Sequence, residues 1–327
     1  MKIRYRELVF ALTPLLWVSG LAAQEYPNRP VKLLVGYPPG GSPDALARLL
    51  APKLSQSLGQ AFVVENKPGA GATLATAEVA RSPADGHTLL VAETASLVIA
   101  PYVYKALAYD TLKDLAPVAL VSNLPMVLVA SSRNSQVKSL ADLIREAKAN
   151  PGKLNYASLG ASSIHALGTE ALKAALGINI TQIPYKGGIA AVAAVLAGEV
   201  DLTYTSLSTV KGLGKSTGDK AHVIAIAVSS IERNPQLPDV PAVSEVIKGY
   251  DFSPQYGMLA PAGTLPAVLA KLSGAIKAAV SSPDVQDRFK SYGFVTTLTT
   301  PEGYTENIRQ ELEKYARAVK IANIQPE

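Results

Sequence analysis

The chain has 327 residues, more than one hydrophobic core usually holds, so two domains are expected. With 48% hydrophobic residues, 17% charged residues and a net charge of +5, the composition is that of a globular protein without a basic run for nucleic acid. The absence of cysteine excludes disulfides, thiol catalysis and cysteine-ligated zinc.

The N-terminus has the layout of a secretory signal peptide. Three basic residues within the first six precede an apolar stretch over residues 8–18, and small residues lead up to Ala23. We therefore predict a signal peptide over residues 1–23, cleaved after Ala23, and a soluble, exported mature chain. The alternative is a retained membrane anchor, but the apolar stretch is short for a bilayer span.

Short apolar runs alternate with helical periodicity from residue 31 onward. This alternation predicts an α/β fold of mostly parallel sheets flanked by helices. In the first series the predicted strands are 31–36, 62–65 and 88–92, and the predicted helices are 44–58, 73–81 and 96–104.

Two apolar stretches connect this series to a second one. Residues 115–130 are longer than an ordinary strand and contain Pro117 and Pro125, so they are either two strands or one strand that crosses between domains. Residues 252–260 are a second candidate crossing strand. We predict two lobes with a ligand cleft between them: residues 24–124 with 254–327, and an inserted lobe of residues 125–253.

The second series and the C-terminal region continue the alternation. Predicted strands are 154–157, 180–185, 200–204, 223–228 and 294–297, and predicted helices are 140–150, 163–176, 189–197, 266–280, 283–292 and 301–321.

The stretch from Tyr37 to Asp44 follows the first strand and opens the first helix. Its glycines let the backbone approach a ligand, and a helix start offers N–H donors and a positive dipole end to an anion. An ordinary strand-to-helix turn is the alternative interpretation, in which Asp44 only satisfies the helix start.

Four loops after predicted strands share this chemistry of glycines, small residues and hydroxyls. Because such loops lie at the carboxyl ends of strands, where α/β sheets bind ligands, we predict an anion-binding cleft. Its candidate residues are Tyr37, Pro39, Gly40, Gly41, Ser42, Thr94, Ala95, Ser158, Gly160, Ser162, Ser163, His165, Tyr185, Lys186, Gly187 and Gly188. For His165 a place on a helix surface, for Lys186 a solvated position and for the tyrosines simple packing remain open.

Motifs for other chemistry fail on spacing. The pair Gly187-Gly188 follows Lys186 and so makes no phosphate-binding loop, and residues 69–74 lack the final glycine of a dinucleotide motif. The three histidines are far apart and no nucleophile elbow occurs. We expect no catalytic residue, no metal and no cofactor.

Several motifs, in order along nearly the whole mature chain, resemble the Bug family. These TctC-like proteins are the extracytoplasmic solute receptors of tripartite tricarboxylate transport (TTT) systems. The resemblance is carried by residues 37–41 with Asp44, and by residues 64–71, 84–89, 156–158 with 160–165, 184–188, 197–202 and 257–264.

The resemblance implies a periplasmic, type II-like two-lobe binding protein that closes on a small carboxylate, held through backbone N–H groups and ordered water. The implied partners are the ligand and the membrane subunits of a transporter, and the implied state is a monomer without enzymatic activity. Two alternatives stay open: a ligand sensor for a membrane signalling partner, and a periplasmic α/β enzyme.

One residue departs from the family pattern. Where many members carry an aspartate, this chain has Thr205, which cannot pair with a ligand ammonium group. We therefore expect a ligand without an amino group, either an aliphatic di- or tricarboxylate or an aromatic acid such as terephthalate.

Overall fold

The computed structural model describes residues 26–133, 136–160, 163–185, 188–207, 209–210 and 223–326. The predicted signal peptide therefore lies outside the described residues. Within them, no helix is both long and apolar enough to cross a membrane.

The first sheet starts with three parallel strands, formed by short β-branched and leucine-rich runs separated by helices that return the chain. β1 (Val31–Val35) pairs with β2 (Phe62–Asn66) on one side and with β3 (Thr88–Glu93) on the other. The connecting helices are α1 (Ser42–Leu58) and α2 (Thr73–Ala80).

Three antiparallel strands complete this sheet. They are β4 (Leu115–Asn123), β10 (Gln255–Pro261) and β11 (Val295–Thr296). β10 lies between β3 and β4, and the sheet order is β11-β4-β10-β3-β1-β2. A π-helical turn (Ala95–Ile99) and the short α3 (Ala100–Val103) follow β3.

The second sheet is built from the middle of the chain, in the order β7-β6-β8-β5-β9. Its strands are β5 (Met126–Ser131), β6 (Asn155–Ser158), β7 (Thr181–Pro184), β8 (Leu202–Ser206) and β9 (Val223–Val228). Its helices are α4 (Leu140–Ala149), α5 (Ile164–Leu176) and α6 (Gly188–Ala197).

The two-sheet α/β architecture confirms the expected fold class, but both sheets are mixed. The strands joined by helices are parallel as predicted, whereas β10 and β5 run antiparallel to both of their neighbours. Their direction differs because each enters its sheet directly from a crossing segment, without a helix to return the chain to the same edge.

The two crossings lie side by side. Residues 115–130 form two strands, one in each sheet, separated by Leu124 and Pro125. The strand expected over residues 252–260 begins only at Gln255, so the second crossing is the irregular segment that ends at Pro254. The Leu124 N–H donates to the Pro254 carbonyl at 2.8 Å and ties the crossings together. The division into two lobes at these points remains a proposal.

The C-terminal helices cover the first sheet and reach the second. α7 (Pro266–Val280) and α8 (Pro283–Tyr292) pack with α1 on one face. α9 (Pro301–Ile321) buries Ile308, Tyr315 and Val319 on the other face and also contacts α5. A continuous apolar core therefore runs from the first sheet through α9 into the second.

Candidate functional site

A cavity of about 460 Å³ lies where the loops of the first sheet meet the start of α5. The turn after β1, the end of β3 and the turn after β6 all contribute to it, at the strand ends where α/β sheets bind ligands. The described lining residues are Tyr37, Gly41, Ser42, Pro43, Gly71, Glu93, Ala95, Tyr104, Leu159, Ser163, Ile164, His165, Pro254 and Tyr256.

One buried carboxylate, Asp44, holds the turn after β1. The backbone of Gly40 has a left-handed φ of 87°, and its N–H donates to Asp44 Oδ2 at 2.9 Å. Asn66 Nδ2 donates to Asp44 Oδ1 at 2.9 Å and to the Tyr37 carbonyl at 3.0 Å, and Arg48 Nε donates to the carboxylate at 3.0 Å. Burial alone would raise the pKa of Asp44, but together these donors lower it.

The start of α1 faces the cavity. Gly41 is the N-cap in an extended conformation, and Pro43 occupies the first turn, where a missing N–H costs nothing. Ser42, the first residue of α1, lines the cavity. The positive end of the helix dipole is therefore directed at the position where an anion would bind.

The turn after β6 leads into α5 in a similar way. Gly160 has φ of 99°, and Ser163 caps α5 by accepting from the Ala166 N–H at 3.2 Å. Ser163 also donates to the Gly160 carbonyl at 2.7 Å and lines the cavity. The fully buried Ser158 instead accepts from Gln182 Nε2 at 2.7 Å, which fastens β6 to β7.

The cavity contains a carboxyl group that sequence reasoning missed. Glu93, the last residue of β3, is 8% exposed and accepts hydrogen bonds from the Tyr37 hydroxyl and the Ala95 N–H. Burial raises the pKa of Glu93 against the opposing effect of the two donors, and burial also raises the pKa of Tyr37. The available signal was an acidic residue that closes a buried strand and is the first residue of one of the selected loops, although it was not chosen as a site residue.

His165 lies in the first turn of α5 and lines the cavity. Burial lowers its pKa to about 4, so the ring is neutral at pH 7. Its Nδ1 has no hydrogen-bond partner within the described ranges. A neutral imidazole can give a ligand one hydrogen bond without adding charge to the site.

This histidine should make folding sensitive to acid. The pKa of His165 is lower in the folded chain than the value of about 6.5 in an unfolded one. The folded chain therefore has its full stability from the neutral ring above pH 6.5, and this stability is lost as the pH falls towards about 4. Between pH 7 and pH 5, wild type should lose about 1 kcal/mol more stability than a His165→Gln variant, a figure discounted for partial exposure. Urea unfolding at both pH values measures this, and parallel losses in the two proteins would contradict it.

Other predicted site residues do not line this cavity, and two of them have contacts within the sheets. Thr94 accepts from the Gln255 N–H at 2.7 Å and fastens β3 to β10. Thr205 lies buried on β8, opposite Val127 of β5. The predicted residues that do not line the cavity are Pro39, Gly40, Thr94, Ser158, Gly160, Tyr185, Gly188 and Thr205.

Six predicted residues do meet at the cavity, and three cannot be placed. Those that meet are Tyr37, Gly41, Ser42, Ala95, Ser163 and His165. Ser162, Lys186 and Gly187 lie outside the described residues. A ligand-binding role for each member of the set remains a prediction.

We expected a ligand without an amino group because Thr205 stands where many family members carry an aspartate. Thr205 does not line the cavity, whereas Glu93 supplies a carboxyl group to it from the first sheet.

The described lining carries hydroxyls, backbone groups and aromatic rings, but neither lysine nor arginine. Nor do the described residues contain a group of three histidine, aspartate or glutamate side chains placed to hold a metal ion. Such a lining binds a small polar molecule through hydrogen bonds and ring contacts.

Comparisons with known proteins agree on one family. Residues 46–324 match the sequence profile of the tripartite tricarboxylate transporter family receptor, TctC. Protein BugT of Bordetella pertussis is 35% identical over 304 residues, which cover 92% of this chain and 91% of BugT.

Solved structures in the same group contain carboxylates. Rpa4515 of R. palustris, with adipate, has a TM-score of 0.81 at 30% identity and covers 92% of this chain and 100% of its own. MatC of Rhodopseudomonas palustris, with bound malate, has a TM-score of 0.76 at 29% identity, and the match covers 90% of this chain and 100% of MatC.

Proposed function

The chain belongs to the tripartite tricarboxylate transporter receptor family, and from that premise we propose that it is the periplasmic receptor for a small organic carboxylate. The acid is an aliphatic di- or tricarboxylate, or an aromatic acid such as terephthalate. The receptor acts as a monomer and delivers the acid to the membrane subunits of a tripartite tricarboxylate transporter.

The observation that carries this proposal is the composition of the cavity wall. Both sheets direct strand-to-helix turns towards the same space, with Ser42 at the start of α1 and Ser163 at the cap of α5. A carboxylate between them lies at the N-terminal ends of two helices, where backbone N–H groups and the helix dipoles favour an anion. Adipate and malate in two related structures support a carboxylate as the ligand class.

Closure requires a hinge, and the paired crossings are suited to that role. Leu124 and Pro254 join the two sheets through non-strand backbone tied by one hydrogen bond, so small changes of dihedral angle there reorient the lobes. Pro254 also lines the cavity, so a hinge at this point would lie beside the proposed ligand.

A thermal-shift screen tests the proposal. Mature protein is heated with adipate, malate, citrate, terephthalate and benzoate, with potassium chloride of equal ionic strength as the control. A ligand present at about 100 times its Kd stabilises the native state by about 2.7 kcal/mol, which raises Tm by roughly 5 °C. A flat response to every acid would overturn the proposed function.

A further inference from the structure

Glu93 is unusual among the acidic residues of this chain because it is buried in the ligand cavity without a positive partner. Asp44 has Arg48 at 3.0 Å, and Glu311 has Lys314 as an ion-pair partner at 2.6 Å. Within the described residues, Glu93 forms no ion pair and has only the Tyr37 hydroxyl and the Ala95 N–H as donors.

The titratable groups around Glu93 are neutral at pH 7. They come from the turn after β1, from α5, from β10 and from α9. Burial raises the pKa of each tyrosine, so its hydroxyl is protonated, and burial lowers the pKa of the one histidine to about 4. These groups are Tyr37, His165, Tyr256, Tyr304 and Tyr315.

A ligand carboxylate in this cavity meets a carboxyl group that nothing nearby neutralises. Two like charges at close range in a partly dry site repel each other far more strongly than in water. In such pairs one carboxyl group keeps its proton, as in other sites where two carboxyl groups share one space. Burial already raises the pKa of Glu93, so Glu93, and not the ligand carboxylate, is the group that keeps the proton.

We propose that Glu93 contacts the bound acid as a neutral carboxylic acid, taking up one proton from solvent with each ligand and donating it in a hydrogen bond to the ligand carboxylate. The inference rests on the proposed function, because it assumes an anionic ligand. Glu93 is then a specificity-determining residue, because the cavity binds an anion only together with a proton. The hydrogen bond from Tyr37 adjusts the pKa of Glu93 and so the pH at which that proton must be taken up.

The consequence is a defined pH dependence. At a pH below the pKa of Glu93 in the free protein, the residue is already protonated, so its titration does not change the affinity for the ligand. Above that pKa each binding event must draw a proton from solvent, so the association constant falls by up to about tenfold per pH unit. Removing the Tyr37 donor with Tyr37→Phe should move the start of this fall to higher pH, because that hydrogen bond favours the ionised form.

Titration calorimetry tests the proposal, with adipate as the first probe and then the screened acid that gives the largest thermal shift. The number of protons taken up is read from titrations in two buffers of different ionisation enthalpy, at several pH values between 6 and 8.5. Wild type should take up close to one proton at the upper end of the range. Glu93→Gln, which keeps the shape of the neutral acid, should take up none, should bind with a flat pH profile and should bind more tightly than wild type at pH 8.5.

A buried acid outside the cavity provides the control. Glu311 is 9% exposed and does not line the cavity, so Glu311→Gln should keep the proton uptake of wild type. Binding by wild type without proton uptake would overturn the inference and leave the proposed function intact. A loss of affinity of about a hundredfold in Glu93→Gln at every pH would also overturn it, since it would show that binding needs the ionised carboxylate of Glu93 and not its neutral form. Failure of every acid to bind wild type would overturn both.

Discussion

Replacing Asp44 by alanine is expected to lower the free energy of unfolding by about 3 kcal/mol and to weaken binding of the screened acid about tenfold. The buried carboxylate accepts from the Gly40 N–H, from Asn66 and from Arg48, and alanine leaves the first two donors without their acceptor. Gly40 is held at a left-handed φ partly by this bond, so the turn after β1 should relax away from the cavity. Urea unfolding and calorimetry measure the two effects.

The matched control is Asp284, an aspartate in the first turn of α8 behind a proline, as Asp44 is in α1. Its side chain is 62% exposed and pairs with Lys53 at 2.7 Å. Because exposed ion pairs contribute little, Asp284→Ala should cost less than about 1 kcal/mol and leave binding unchanged. Equal losses from the two variants would show that helix-start charge, and not the buried hydrogen bonds of Asp44, stabilises the turn.

Local signals predicted the elements well because their causes lie within a few residues. The helices at Pro266–Val280, Pro283–Tyr292 and Pro301–Ile321 begin and end as expected, since a proline fits the first turn of each. The turn after β1 likewise carries its own glycines and its own anchoring aspartate. Recognising a strand followed by a helix was therefore enough to predict that the residues of this turn lie at a cavity.

Long-range pairing could not be predicted in the same way. Nothing local to residues 255–261 indicates that this strand inserts between β3 and β4, which lie more than a hundred residues earlier. Whether a crossing strand runs parallel or antiparallel depends on where it enters the sheet, and this is a property of the assembled fold. For that reason both sheets are mixed within the expected α/β fold class.

Two features of the site depend on contacts that are distant in the sequence. Choosing the loop after β3 did not decide between Glu93, the last residue of β3, and Thr94, which follows it in a helical conformation. Thr94 is turned towards Gln255, while Glu93 meets Tyr37, 56 residues earlier in the chain. Thr205 was selected by comparison with a sequence pattern, and it lies on β8 opposite Val127 and does not line the cavity.

A Gly257→Ala substitution is expected to lower the free energy of unfolding by about 3 kcal/mol. Gly257 lies in the middle of β10, between β3 and β4. A Cβ atom there would lie 2.5 Å from Cε1 and Cζ of Tyr304, a ring that is 2% exposed and packed into the core shared by the two sheets. Neither the strand nor the ring can shift without disturbing its neighbours, so the strain is retained in the folded state.

A glycine in open space separates this clash from any general effect of adding a methyl group. A Cβ atom on Gly274, inside α7, would meet no atom within 4 Å beyond the backbone of its own helix and its chain neighbours, so Gly274→Ala should stabilise the protein by roughly 0.5–1 kcal/mol through helix propensity. Combining Gly257→Ala with Tyr304→Leu, which removes the ring, should cost clearly less than the sum of the two single changes. Additive losses in that double variant would show that a clash with Tyr304 does not cause the destabilisation. The need for glycine at position 257 would then have a cause other than the close approach of α9.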